Sequence, residues 1–87
     1  MTVAKDPARF VETAIDDEVV VMHLDSGDFF SLSGTARAIW TAIDGHRDEA
    51  TICAVLADDY PDVPVEELTA DVAGFVERLR AAGFLAA

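Results

Sequence analysis

The chain has 87 residues, and its 6 Lys and Arg against 17 Asp and Glu give a formal net charge of −11. This length predicts one domain, which buries only about 60% of the surface of its unfolded chain and has no room for a second lobe. The acidic excess disfavours nucleic-acid binding, because such binding depends on Lys and Arg that neutralise phosphates. No apolar run approaches the roughly 18 residues of a membrane span, and the N-terminal sequence lacks the apolar stretch of a signal peptide. We therefore expect a cytoplasmic protein with neither a membrane nor a nucleic-acid partner.

The first half of the chain has the pattern of β-strands. We assign residues 1–8 to an N-terminal tail and residues 9–87 to a single domain. Residues 9–15 and 18–24 are predicted to form a hairpin, since the second run is rich in β-branched side chains. Turn residues follow, and residues 28–32 resume as a third strand. The strands therefore form a three-stranded antiparallel meander.

Alternation within the second strand separates two sets of side chains. Val20, Met22 and Leu24 share one face, and Val19, Val21 and His23 share the other. We expect the first set to face the core.

From Ser33 onward the apolar spacing becomes helical. A first helix begins after Ser33 and ends before Gly45, and a second runs from about Asp48 to Asp59. The third runs from about Pro64 to Ala82, with Gly83 as its C-cap. The fold class is therefore α+β, a winged-helix-like domain of three antiparallel strands followed by three helices. The predicted core consists of the residues that these periods place inward: Val20, Met22, Leu24, Phe30, Leu32, Ile39, Trp40, Leu56, Leu68, Val72, Phe75 and Leu79.

Several stretches of sequence resemble those of a known protein family, and the resemblance covers nearly the whole chain after about Arg9. Residues 18–40 read EVVVMHLDSGDFFSLSGTARAIW, and Asp44-Gly45 and a Leu56 to Tyr60 segment follow. The third helix carries an Asp-Val string and ends in Leu-Arg-Ala-Ala-Gly83. The chain thereby resembles the PqqD-like family, small proteins named for pyrroloquinoline quinone biosynthesis. Members act as recognition elements for ribosomally made, post-translationally modified peptides.

The resemblance implies a binding mode. The leader segment of a precursor peptide would pair as an added strand with the edge of the third strand, and its side chains would settle against the third helix. Ala73 would leave room there, Arg80 would meet a leader carboxylate, and Val76 would lie at the edge of the apolar stripe. We therefore expect Val76→Asp to abolish binding and spare the fold. The implied peptide-binding residues are Asp28, Phe29, Phe30, Ser31, Leu32, Thr69, Val72, Ala73, Phe75, Val76, Leu79 and Arg80.

One departure from the family pattern lies before the third helix. The family commonly opens this helix with Asp-Pro, whereas this chain reads Asp62-Val-Pro. The loss of the carboxylate next to the helix weakens the N-cap, by about 1 kcal/mol at most in typical cases.

No pattern of an enzyme or a metal site is present in the sequence. His23 with Asp25, and the turn that contains His46, lack a third well-spaced ligand. The single cysteine, Cys53, excludes an internal disulfide and is expected to be a small hydrophobic residue of the core. Neither serine before a glycine matches G-x-S-x-G. We predict no catalytic residue, no cofactor and no metal.

The sequence is compared with three classes of function: an adaptor, a transcription regulator and an enzyme. The leading hypothesis is a noncatalytic adaptor that presents a leader peptide to a modifying enzyme or a leader protease, with lasso peptides among the possible products. Its alternative within the class is the carrier protein of quinone cofactor biosynthesis, which would partner a radical S-adenosylmethionine enzyme. A winged-helix transcription regulator needs a basic recognition helix, but the second helix is acidic and has no Lys or Arg after Arg47. A minimal enzyme would need a clustered acid, base or nucleophile.

Overall fold

Three strands and three helices follow one another in the computed structural model, which describes residues 2–86. The predicted order of elements and the fold class are confirmed. The elements are β1 (Phe10–Ile15), β2 (Glu18–His23), β3 (Phe29–Leu32), α1 (Gly34–Ala42), α2 (Glu49–Asp59) and α3 (Val65–Ala82).

The strands form one antiparallel sheet in the order β1-β2-β3. Val21 lies opposite Glu12 of β1 and Phe30 of β3, which fixes the register on both sides of the central strand. Asp16 has a φ of 53° at the β1–β2 corner, a left-handed conformation that Asp tolerates better than most residues. β1 and β3 are therefore the two edge strands of the sheet, and the three helices come after β3 in the chain.

The prediction for the core face of β2 is wrong. Val19, Val21 and His23 are buried, whereas Met22 is 40% exposed and Leu24 is 52% exposed. Val20 is half-buried, on the same outer face as Met22. Both faces of this strand carry apolar side chains, so alternation gives two sets without saying which one faces inward. His23 belongs to the buried set, and its ring is accommodated in the core.

The imidazole of His23 is hydrogen-bonded at both nitrogens. Nδ1 accepts from the backbone N–H groups of Asp25 and Ser26, at 3.3 and 3.4 Å. This leaves the proton of a neutral ring on Nε2, which lies 3.2 Å from the carbonyl oxygen of Gly83. A buried polar ring with both nitrogens satisfied does not carry the desolvation cost of an unpaired group.

An aromatic cluster joins the sheet to the C-terminal segment. Phe84 is fully buried, and its ring lies 5.9 Å from that of Phe10 and 5.4 Å from that of His23. Trp40 is 1% exposed, and its Nε1 donates to Oε1 of Glu12 at 2.9 Å. The prediction that Trp40 is a core residue is therefore confirmed, and its indole N–H has an acceptor.

The N-terminal segment lies against this unit. Val3 is 4% exposed, its N–H donates to the carbonyl of Arg47, and Lys5 forms an isolated β-bridge with Leu85. The ammonium of Lys5 lies 4.2 Å from the Trp40 ring centroid. Burial lowers the pKa of Lys5, and the nearby Glu12 and Asp44 carboxylates act in the opposite direction. The boundary between tail and domain at residue 9 stays a prediction, and Val3 contributes a buried side chain before it.

The helix ends follow their capping residues. The side chain of Asp48 accepts from the N–H of Thr51 at 2.8 Å and caps α2. Pro64 is the N-cap of α3 and forms no side-chain cap, as the lost carboxylate predicted. Gly83 ends α3 with a φ of 86°. No helix within residues 2–86 has the length and apolar character to cross a membrane.

Candidate functional site

The edge of β3 is open in the described part of the chain. β3 pairs with β2 on one side, and no other described strand pairs with it. His23 and Asp28 occupy opposite positions, and the N–H of His23 donates to the carbonyl of Asp28 at 2.8 Å. Because backbone direction alternates along an antiparallel strand, Phe30 and Leu32 also direct their N–H and C=O toward β2. Phe29 and Ser31 direct theirs toward the open edge.

A groove runs between α1 and α3, beside the end of β3. Its volume is about 340 Å³, and its lining combines polar side chains with the core residues Ile39 and Phe75. We call it the α1–α3 groove. Its lining residues are Thr35, Ala36, Ile39, Ala70, Asp71, Gly74, Phe75 and Arg78.

Arg78 connects this groove to β3. Its guanidinium carbon lies 5.6 Å from the centroid of the Phe30 ring, within the range of a cation–π contact. α1 begins two residues after Leu32, and its first turn contributes Thr35 and Ala36 to the groove lining. The groove therefore neighbours the open edge of β3 through the Arg78–Phe30 contact and through the short connection from β3 to α1.

The predicted residues of β3 and the turn before it divide among the outer face of the sheet, the strand edge and the core. Phe29 is 66% exposed on the outer face of the sheet, opposite Met22 in the register. Phe30 is half-buried, and Leu32 is 3% exposed and belongs to the core. Ser31 is exposed and its hydroxyl donates to Oε2 of Glu18 at 3.0 Å. Asp28 is exposed at the turn before the strand.

The predicted residues of α3 divide among the core and two flanks. Val72, Val76 and Leu79 have 0% exposure, and Phe75 has 9% and also lines the α1–α3 groove. The idea that Val76 lies at the edge of the stripe is wrong, because its whole side chain is enclosed.

The other predicted flank faces away from the groove. Thr69 lines a depression between α2 and α3, and Arg80 lines one beside the N-terminal segment. Arg80 is also ion-paired with Glu77 at 3.1 Å. Ala73 is exposed and lies one turn from Thr69 along the helix. Peptide contact by Thr69, Ala73 and Arg80 stays a prediction on a flank separate from the α1–α3 groove.

Sequence reasoning missed the residues that form the groove-facing flank of α3. Asp71, Gly74 and Arg78 recur at intervals of three and four, the spacing of one helix face. The sequence shows this spacing of Asp71, Gly74 and Arg78. It does not show which of the two polar flanks of α3 faces β3, because the two flanks are similar in composition.

The clusters that invited a metal or catalytic interpretation have structural partners. Asp44 accepts from the backbone N–H of His46, which lowers the pKa of the carboxyl, and Asp48 caps α2. Within residues 2–86, no three His, Cys, Asp or Glu side chains are placed to hold a metal ion. Cys53 is half-buried and packs against the core from α2.

Two solved structures share this architecture. One is TbiB1 in complex with the TbiA(beta) leader peptide, with a TM-score of 0.80 and 26% identity, covering 98% of this chain and 94% of that one. The other is lasso peptide synthetase B1 complexed with the leader peptide, with a TM-score of 0.84 and 21% identity, covering 100% of both chains. The second likeness, at its low identity, shows the fold alone.

Comparison at the level of sequence gives the family. No curated protein sequence matches the chain. The family model described as coenzyme PQQ synthesis protein D (PqqD) matches residues 18–85, from the start of β2 to the C-terminal segment after α3. This match spans most of the chain and all of its helices, and the chain therefore belongs to the coenzyme PQQ synthesis protein D (PqqD) family.

Proposed function

We propose that this protein binds the leader segment of a ribosomally synthesised precursor peptide and presents it to a separate enzyme. The observation that carries the proposal is the open edge of β3 beside the α1–α3 groove. It lies in a fold similar to that of TbiB1, which was solved with a leader peptide. An open strand edge next to a groove is the arrangement that β-augmentation requires.

The peptide would add a fourth strand beyond β3. Phe29 and Ser31 would supply two N–H donors and two C=O acceptors to it, since their backbone groups point outward. Alternate peptide side chains would then lie on opposite faces of the extended sheet. One set would lie beside Phe29 on the outer face, and the other would face Phe75 and Arg78 in the groove.

The role would be noncatalytic, with the chemistry supplied by a modifying enzyme or a leader protease. The large acidic excess would favour a basic docking surface on that enzyme, and salt would weaken the association. We place the protein in the cytoplasm, where ribosomal precursors are released. A lasso precursor stays a prediction, and the family description favours a precursor of the quinone cofactor as the alternative.

The transcription-regulator alternative conflicts with the charge of the helices. α2 begins with Glu49 and ends with Asp58 and Asp59, and it contains no Lys or Arg. A helix of this charge would be repelled by phosphates. We therefore expect no retention of a DNA fragment at micromolar protein and physiological salt, and clear retention in an electrophoretic assay would contradict the adaptor function.

Amide exchange can test the strand addition, because β3 contains its own control. A labelled leader peptide encoded beside this gene would be titrated, and hydrogen exchange of the β3 amides recorded with and without it. The Phe29 and Ser31 amides should gain protection on binding. The Phe30 and Leu32 amides, already directed toward β2, should change little. Binding without added protection at Phe29 and Ser31 would reject the mechanism.

A pair of variants at one position sharpens this test. Ser31→Pro removes the outward N–H while leaving the pairing with β2 intact, as proline is tolerated where an edge N–H faces solvent. Ser31→Ala removes the hydroxyl and its bond to Glu18 but keeps the N–H. Loss of one hydrogen bond of about 1 kcal/mol should weaken peptide binding roughly fivefold in Ser31→Pro. Equal affinities of the two folded variants would argue against a peptide strand on this edge.

A further inference from the structure

Within residues 2–86, Arg78 is a cation without an ion-pair partner, in a protein with an acidic excess. The salt bridges among residues 2–86 join Arg9 to Asp6, Arg47 to Asp44 and Arg80 to Glu77. Arg78 forms none with any described carboxylate, although the chain contains 17 Asp and Glu. Its side chain is exposed at the groove. The guanidinium donors therefore remain available to a ligand.

Contact with Phe30 holds this guanidinium near the open edge of β3. A guanidinium placed over an aromatic face can still donate through its edge N–H groups, in a fork that matches a carboxylate. The side chain that would meet it belongs to the peptide strand next to β3. Arg78 is thus positioned as a carboxylate receptor at the Phe30 end of the groove.

Asp71 occupies the opposite end of the same wall. It lies seven residues before Arg78, which corresponds to about 10.5 Å along the helix axis. It shares the groove with Thr35 and Ala36 of the first turn of α1, which follows the Leu32 end of β3. Like Arg78, it has no ion pair among the described residues. The groove therefore has an acidic end near α1 and a basic end near Phe30.

We propose, building on the function above, that this charge order selects the peptide sequence and its direction. An added strand antiparallel to β3 runs from the Leu32 end toward the Phe29 end, so it passes Asp71 before Arg78. Side chains on one face of a strand recur every two residues, about 6.8 Å apart. The bound segment should therefore carry a Lys or Arg near Asp71 and, two to four residues later, an Asp or Glu at Arg78.

A displayed library of random 12-residue peptides tests this without knowledge of the precursor. Selection on the wild-type protein should enrich peptides in which a Lys or Arg is followed, two to four residues later, by an Asp or Glu. Arg78→Glu should weaken a selected peptide at least tenfold. Arg37→Glu is the matched control, because it changes the net charge equally at an exposed arginine that lines a depression between α1 and α2. It should change the affinity less than twofold.

The charge-reversed double variant gives the strictest test. Asp71→Arg with Arg78→Asp leaves the net charge unchanged, and selection on it should enrich the order acid, then cation. Peptides that depend on the Ser31 N–H but show no charge order in either selection would overturn this inference and leave strand addition standing. Selected peptides that bind Ser31→Pro as well as Ser31→Ala would refute the strand-addition function itself. Arg78→Gln, which keeps the side-chain length, should lose the acid preference if the charge is responsible.

Discussion

Gly83→Ala should destabilise the protein more than the same change at another glycine in the left-handed region. Gly83 has a φ of 86°, and a Cβ there would lie 2.9 Å from Nε2 of His23. Gly27 has a φ of 74° and open space around its Cβ position. Both substitutions therefore put an alanine into the left-handed region. Only the one at Gly83 also brings a Cβ too close to the His23 ring.

The magnitude follows from what His23 would lose. A left-handed alanine costs about 1–2 kcal/mol, which sets the expectation for Gly27→Ala. At Gly83 the ring must also move, although it is held by backbone N–H groups at Nδ1 and by the Gly83 carbonyl at Nε2. Losing a hydrogen bond costs about 1 kcal/mol and overpacking about 1–3 kcal/mol. Gly83→Ala should therefore cost about 3–6 kcal/mol, against a total of about 4–13 kcal/mol for a domain of this size.

Urea unfolding followed by the fluorescence of Trp40 would measure both variants. The free energy of unfolding of Gly83→Ala should fall at least about 1.5 kcal/mol below that of Gly27→Ala, with similar m-values. If the two variants lose the same free energy of unfolding within about 0.5 kcal/mol, the His23 ring moves freely. That result would refute the reasoning about its hydrogen bonds.

Three further predictions concern the Trp40–Glu12 pair, the buried side of α3 and the cap of α2. Trp40→Ala should cost about 3–5 kcal/mol and Glu12→Ala about 1–2 kcal/mol, measured by urea unfolding with circular dichroism, because the second change leaves the indole N–H without its acceptor. Val76→Asp should unfold the domain, since it puts a charge at a position with 0% exposure, whereas Ala73→Asp at an exposed position should keep the native thermal transition. Hydrogen bonds from Thr51 lower the pKa of Asp48 below its ordinary 3.8, so its stabilising contribution is present above that pH and is lost as the pH falls through the folded pKa. Asp48→Ala should therefore lower the melting temperature at neutral pH and converge with wild type in acid, and a constant difference would contradict this.

The sequence determined the order and ends of the elements, because those depend on local chemistry. β-Branched runs and turn residues fix the three strands, and Gly83 ends α3 with the positive φ that glycine tolerates best. The family strings were equally local and predicted the match found over residues 18–85. The edge position of β3 followed from its place as the last strand of a meander.

Tertiary structure decided which faces meet. The two sets of side chains on β2 are both apolar, and the choice between them depends on partners distant in sequence, such as Gly83 and Phe84 around the His23 ring. The same holds for α3, where Arg78 rather than Arg80 borders β3. The spacing of residues along a strand or helix shows which side chains share a face. Packing against other elements decides which of these faces points inward. In this protein the same packing places Arg78 beside the open strand. Among the described residues, Arg78 is the only arginine that lines the α1–α3 groove.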